Sequence, residues 1–212
     1  MLVPSKSSLE FLAQSTRQYQ RAMRGSPAEE YLMQRGLTPD SIRSFRLGYV
    51  ADSMPGHEKY VGRIAIPYLS PDAMTLQLRF RRLGDGDGAK FLSVPGDIPR
   101  PYNTRVLEED HNVMFTVEGE PDTWIVTQCG LPVVGLPGVS SWRSEWALPL
   151  RQYDTVFHLA DNDDKGQGAE LGERMARDLP NLRTILWPDG HDANSLFLAE
   201  GQDALLRKVG MQ

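Results

Sequence analysis

The chain has 212 residues, 40% hydrophobic and 24% charged, with a single cysteine and a net charge of −5. Those values exclude a disordered chain and a disulfide-stapled one, and no apolar run nears the ~18 residues of a membrane span. The length suits one large domain or two small ones.

The start, "MLVPSKSSLEFLAQS", lacks the basic stretch and apolar core of a secretion signal. A cytoplasmic, reducing setting is therefore expected, with no membrane partner. Charge is uneven along the chain. Residues 1–106 hold 15 basic against 10 acidic side chains, and residues 107–212 hold 8 against 18. Chance and solubility are the ordinary explanation; a division of labour between the halves is the other.

Residues 9–34 read as helical, interrupted at Gly25-Ser26-Pro27, where Ser26 caps a second helix and Pro27 opens it. Thr38 and Pro39 start a third after a stop at Gly36. "GRIAIPYLS" and "TLQLRFRRL" form a hairpin through a Pro71-Asp72 turn. "GDGDGA" is a loop, and "PGDIPRPYN" an ordered connector. From residue 111 strands and helices alternate: "NVMFTV", "EPDTWIVTQCG", "LPVVGL", a helical or irregular crossover "SWRSEWALPL", "DTVFHLA", "GQGAELGERMARDL", "LRTILW" and the closing helices "DANSLFLAEGQDALLRKV". Leu171, Met175 and Leu179, four apart, give the sixth of these one apolar face. Such alternation predicts an α/β fold with a parallel sheet, preceded by a basic α+β region. The boundary is set between 1–106 and 107–212.

Ligands of open parallel sheets bind at the carboxyl ends of the strands. Three such ends carry acids: Glu118 with Asp122 just after, Asp161 with Asp163, and Asp189 with Asp192. Neighbouring strands lie ~4.8 Å apart, so the first two tips share one cluster if their strands are adjacent. Carboxylates packed together repel and raise one another's pKa. A hard divalent cation, Mg²⁺ or Mn²⁺, relieves that repulsion. Two ions ~4 Å apart would clamp both oxygens of an in-line phosphoryl transfer. Any one of these acids alone is more simply a helix cap. Asp164, Glu120 and Glu170 are read as caps or solvated surface, and Cys129 as buried. His158, inside an apolar strand, is read as a core or supporting residue rather than a ligand. His191 could touch the site. One cysteine and four scattered histidines leave no zinc site.

"VEGEPD" followed by "ADNDDKG" resembles the TOPRIM domain shared by DnaG-type primases, type IA and type II topoisomerases and certain nucleases. Glu118 matches its glutamate, and Asp161 and Asp163 its Asp-x-Asp. The flanks are similar to the DnaG-type primase core. "AEEYLMQRGLTPDSIRSFRLGYV" resembles its opening segment, "GRIAIPYLS" its Arg-Ile strand, Lys90-Phe91-Leu92-Ser93 its lysine motif, and "WPDGHDANSL" its third acidic motif. The order agrees over about residues 25 to 205. Asn194 stands where the family has a second aspartate in that last motif.

The resemblance implies a phage- or plasmid-type primase core that joins ribonucleoside triphosphates into a primer on single-stranded DNA during replication. Glu118, Asp161 and Asp163 would hold two metal ions, with Glu118 alternatively acting as base. Asp122 and Asp192 would support them. Arg63, Arg79, Arg81, Arg82 and Lys90 would hold triphosphate and template. On a strand Arg79 and Arg81 share a face and Arg82 points away, unless the strand bulges; which of them serve the site stays open. The family's usual cysteine-containing zinc module is not in this chain, so a replicative helicase or a separate zinc-bearing protein is the expected partner. A metal-dependent TOPRIM nuclease and a non-catalytic DNA-binding replisome module are the alternatives.

Overall fold

The computed structural model describes residues 3–84, 86–162 and 166–211. The chain divides into two compact units, Met1–Ile98 and Pro99–Gln212.

The first unit opens with helices α1 (Lys6–Arg21), α2 (Pro27–Gln34) and α3 (Pro39–Ser44). Each start is fixed by a hydroxyl. Ser5 accepts from the Ser8 N–H, Ser26 from that of Glu29 and Thr38 from that of Ser41. Prolines at the first positions of α2 and α3 cost no hydrogen bond there. Strands β1 (Gly48–Tyr49), β2 (Ile64–Leu69), β3 (Thr75–Arg81) and β4 (Phe91–Ser93) pair antiparallel in that order. The β2–β3 hairpin forms where the sequence puts it. β1 was not expected: two residues are too short to show alternation.

Helix α1 packs on β1, β2 and β3. A Cβ on Gly48 would lie 2.6 Å from both the carbonyl carbon and the Cβ of Tyr19, so glycine alone lets the helix sit directly on the edge strand. The core below holds Tyr19, Val50, Met54, Tyr60, Ala65, Leu78 and Phe80. Tyr60 stacks on Phe80 with ring centroids 3.8 Å apart. His57 is wedged among these rings, edge-on to Phe11, Tyr60 and Phe80. Its Nδ1 lies 2.8 Å from the Tyr19 hydroxyl, which also accepts the Met54 N–H.

The second unit carries β5 (Val113–Val117), α4 (Glu120–Gln128), β6 (Val133–Gly135), β7 (Thr155–Ala160), α5 (Gln167–Asp178), β8 (Leu182–Leu186), α6 (Ala193–Glu200) and α7 (Gln202–Lys208). Its strands run parallel in the order β6-β5-β7-β8. The crossover before β7 is a 3-10 helix, Ser144–Gln152. Leu171, Met175 and Leu179 are buried against Met114, Val134, Val156 and Leu150, as their four-residue spacing demands. Truncating one of them to alanine would cost about 2–5 kcal/mol. The proline-rich connector is ordered too. Tyr102 forms a two-way backbone bridge with Gly135 at the free edge of β6, and its hydroxyl accepts from the Trp124 indole.

Burial holds the His57 imidazole below its ordinary pKa of 6.5, with Glu58 pulling the other way. The unfolded chain therefore takes up this proton more readily than the folded one. Stability is retained above the unfolded value and lost as pH falls from 6.5 through the lower folded value. Denaturant unfolding from pH 7 down to pH 5 should show a decline that is shallower in His57→Phe, which keeps the ring packing. An identical slope in both proteins would remove His57 from the account.

Candidate functional site

The acidic tips depend on which strands are neighbours. β5 and β7 pair directly, with Thr116 level with His158, so Glu118 and Asp161 leave the sheet side by side at its carboxyl edge. The Asp161 N–H donates to Glu118 Oε1 at 3.0 Å. The Glu118 side chain is only 6% exposed. One carboxylate is thus held by the backbone of the residue carrying the other. The third tip, after β8, is next to β7 and is stitched to it through Asn162. The Asn162 amide donates to the Trp187 carbonyl and to Asp189 Oδ1, both at 2.9 Å, and its own carbonyl accepts the Gly190 N–H.

Asp122 and Asp192 converge on the start of α6. Asp192 is its N-cap, accepting the Ser195 N–H at 2.6 Å while Ser195 Oγ accepts the Asp192 N–H. Asp122, buried in the first turn of α4, accepts the Asn194 N–H at 3.0 Å. Two carboxylates at one helix N-terminus complement its dipole. Asp163 and Asp164 lie outside the described residues. Among the described residues no three His, Cys, Asp or Glu side chains are grouped to hold a metal ion.

His158 is fully buried, with Nδ1 3.1 Å from Thr116 Oγ1 and Nε2 3.9 Å from Glu118 Oε1. Burial pushes its pKa down to about 4, the nearby backbone of Gly168 and Thr116 acting in the opposite sense. At neutral pH the ring is uncharged, so its approach to Glu118 is not an ion pair.

The basic residues of the first unit fall into two sets. Arg79 and Arg81 share a strand face, and both guanidinium groups lie over the Phe91 ring, at 5.0 and 5.3 Å. Arg81 is 3% exposed and donates to the Tyr31 hydroxyl at 2.6 Å; Arg79 donates to that of Tyr68 at 3.3 Å. Arg82 follows the strand end and binds the Gly88 carbonyl at 2.8 Å, while Arg63 binds that of Ala89 at 3.1 Å. These two brace the glycine-rich loop that leads to exposed Lys90.

No protein-family model matches the chain. It is 40% identical over 154 residues to the Gene 57 protein of Mycobacterium phage D29, covering 71% of this chain and 99% of that protein. The chain belongs to the family of that phage protein. It is also 24% identical over 243 residues to the DNA primase of Pseudomonas aeruginosa, spanning 92% of its own length but 36% of that primase. Among solved structures, the zinc-binding and RNA polymerase domains of Aquifex aeolicus primase match 98% of the chain and 62% of theirs, with a TM-score of 0.82 and 19% identity. A DnaG primase catalytic domain bound to single-stranded DNA matches 95% of the chain and 80% of its own, with a TM-score of 0.77 and 21% identity. The fold is that of the DnaG primase catalytic core, as the motif order implied.

The sequence reading of this DnaG-like core missed the bridging by Asn162, the burial of Glu120 and the pairing of His158 with Thr116. Asn162 sits inside the acidic run, where an amide can cross-link loops without adding charge. His158 and Thr116 are the polar members of two apolar strands; a buried polar pair at matching depths was the available signal. Glu120, read as a cap or surface residue, is 2% exposed. Gly168 on α5 is the last tight point. A Cβ there would lie 2.5 Å from the Asp161 carbonyl oxygen and 2.9 Å from its nitrogen, and would run into Glu118 Oε1. Gly168→Ala should therefore destabilise the chain by about 1–3 kcal/mol in urea unfolding. Wild-type stability would mean that α5 can back away from the strand tips at no cost.

Proposed function

We propose that this chain is the catalytic core of a primase, a nucleotidyltransferase that joins ribonucleoside triphosphates into short RNA primers on single-stranded DNA. One observation carries the reading: Glu118 and Asp161 stand side by side at the carboxyl ends of adjacent parallel strands, within a fold shared with a catalytic domain bound to single-stranded DNA.

The donor set is carboxylate oxygen at a partly enclosed sheet edge, which suits Mg²⁺ or Mn²⁺ and not a thiophilic metal. Glu118, Asp161 and Asp163 are the residues assigned to hold the ions. Bound there, divalent cations supply Lewis-acid activation of the attacking hydroxyl and charge neutralisation on the triphosphate. The 3′ oxygen bonds to the α-phosphorus, the α–β bridging P–O bond breaks, and pyrophosphate leaves. The hydroxyl proton passes to solvent or to Glu118 acting as base. Asp122 and Asp192 act indirectly, by fixing the start of α6 beside the third acidic loop. Arg63, Arg82 and Lys90, with Arg79 and Arg81, are assigned to triphosphate and template phosphates. A replicative helicase or a zinc-bearing protein would supply further template contacts.

Glu118→Gln and Asp161→Asn should each abolish primer synthesis from labelled ribonucleotides while circular dichroism and melting stay native. Each removes one charge from a repelling pair, so the metal-free variants should melt no lower than the parent. Near-normal synthesis by either folded variant would sink the metal assignment. DNA cleavage without nucleotides, and no synthesis with them, would transfer the same acids to a nuclease.

The basic loop is tested separately. Lys90→Ala should weaken single-stranded DNA binding without unfolding the chain, because Lys90 is exposed. The slope of log affinity against log salt should become shallower by about one unit per phosphate contact removed. Arg81 is a poorer probe, since its removal also empties a buried position under Phe91 and Tyr31. An unchanged salt slope for Lys90→Ala would place the template elsewhere.

A further inference from the structure

We infer that His158 is a positioning residue for Glu118: its buried ring, set by Thr116, presents an Nε2–H to Glu118 Oε1 and fixes the carboxylate at the strand end. The inference deepens the metal-site reading and rests on it for its consequence.

β7 reads Thr-Val-Phe-His-Leu-Ala, and at His158 an aliphatic side chain would pack in this interior without the cost of desolvating an imidazole. The ring is wholly buried, in contact distance of Gly172 on α5, where a Cβ would lie 3.4 Å from its Cδ2. Across the sheet its register partner is Thr116, whose hydroxyl is 3.1 Å from Nδ1. A hydroxyl donating to Nδ1 leaves the proton on Nε2. That nitrogen makes no hydrogen bond of ordinary geometry among the described residues; it lies 3.9 Å from Glu118 Oε1, with the Gly168 backbone also close to the ring. A buried polar atom left in that state is costly. A small swing of the carboxylate closes the gap, and functional contacts often tighten only when the site is loaded.

Oε1 is therefore approached from three sides: the Asp161 N–H, the His158 ring and the Cβ-less Gly168. That anchors one carboxylate oxygen to protein. Groups hydrogen-bonded behind a ligating side chain typically change metal affinity 10–100-fold when lost.

The test uses the intact chain with ¹⁵N-labelled histidine. Long-range ¹H–¹⁵N correlation at neutral pH should show His158, assigned by its loss in His158→Gln, as the Nε2–H tautomer. Its Nε2 signal should move in Glu118→Gln. An Nδ1–H tautomer, an imidazolium, or an Nε2 signal indifferent to Glu118→Gln overturns the inference without any metal present. Mn²⁺ titration by calorimetry gives the consequence. His158→Leu, which fills the space without a donor, should weaken Mn²⁺ binding about tenfold or more at an unchanged melting temperature. His158→Gln, with an amide donor, should recover part of it. Thr116→Val should weaken binding in the same direction, and add little to His158→Leu. Unchanged affinity in folded His158→Leu overturns the positioning role. A wild-type chain that binds no Mn²⁺ refutes the metal reading instead, and the tautomer and Glu118→Gln measurements still decide His158.

Discussion

The parallel pairing of β5 with β7, which sets Glu118 beside Asp161 at the carboxyl edge of the sheet, is the constraint on which the rest of that edge depends. Parallel pairing of β5 with β7 brings the two residues together whether or not that is electrostatically comfortable. The contact visible in the chain itself is a backbone dipole, the Asp161 N–H aimed at Glu118 Oε1. It holds the Glu118 carboxylate in place at the strand end through the backbone of the neighbouring tip.

The remaining acids of the region serve a different purpose. Asp192 and Asp122 both accept N–H groups from the first turn of α6, where orphan donors and the helix dipole favour negative charge. The acids of the region thus divide by partner: Glu118 accepts from the Asp161 backbone, while Asp122 and Asp192 accept from a helix end. Asn162 keeps the division in register, because its amide binds the β8 loop through Trp187 and Asp189. A glutamine there would reach too far and an aspartate would add to the repulsion.

How much of this could be read from residues alone follows the range of the interaction. Caps at Ser26 and Thr38 act over three residues and were visible directly, as was the buried Leu171–Met175–Leu179 face. The acidic tips were visible as tips, but their meeting required β5 and β7 to be neighbours, which is a property of strand order. β1 stayed hidden because two residues carry no period, and its place is set by the bare Gly48 under Tyr19. His158 was read as a core or supporting residue and is fully buried, yet its pairing with Thr116 depends on cross-strand register that spacing alone does not give. Glu120 was misread because acids in a first helical turn are usually exposed, while this one follows a buried strand into the interior.

The arginines of the first unit show the same dependence on partners. Three of them occupy four consecutive positions, 79 to 82, and composition treats them alike. Alternation puts Arg79 and Arg81 over Phe91, where the ring face and the tyrosine hydroxyls offset part of the cost of burying guanidinium groups. Arg82, one residue on, turns out to the loop carbonyls. A guanidinium fixed by an aromatic face keeps its planar edge oriented, so little rotamer freedom remains to it. Arg63 and Arg82 hold carbonyls of the loop before Lys90 and order that segment in turn. The two sets are thus ordered by different means, stacking in one and carbonyl capture in the other, a difference set by which ring or carbonyl the fold places beside each side chain.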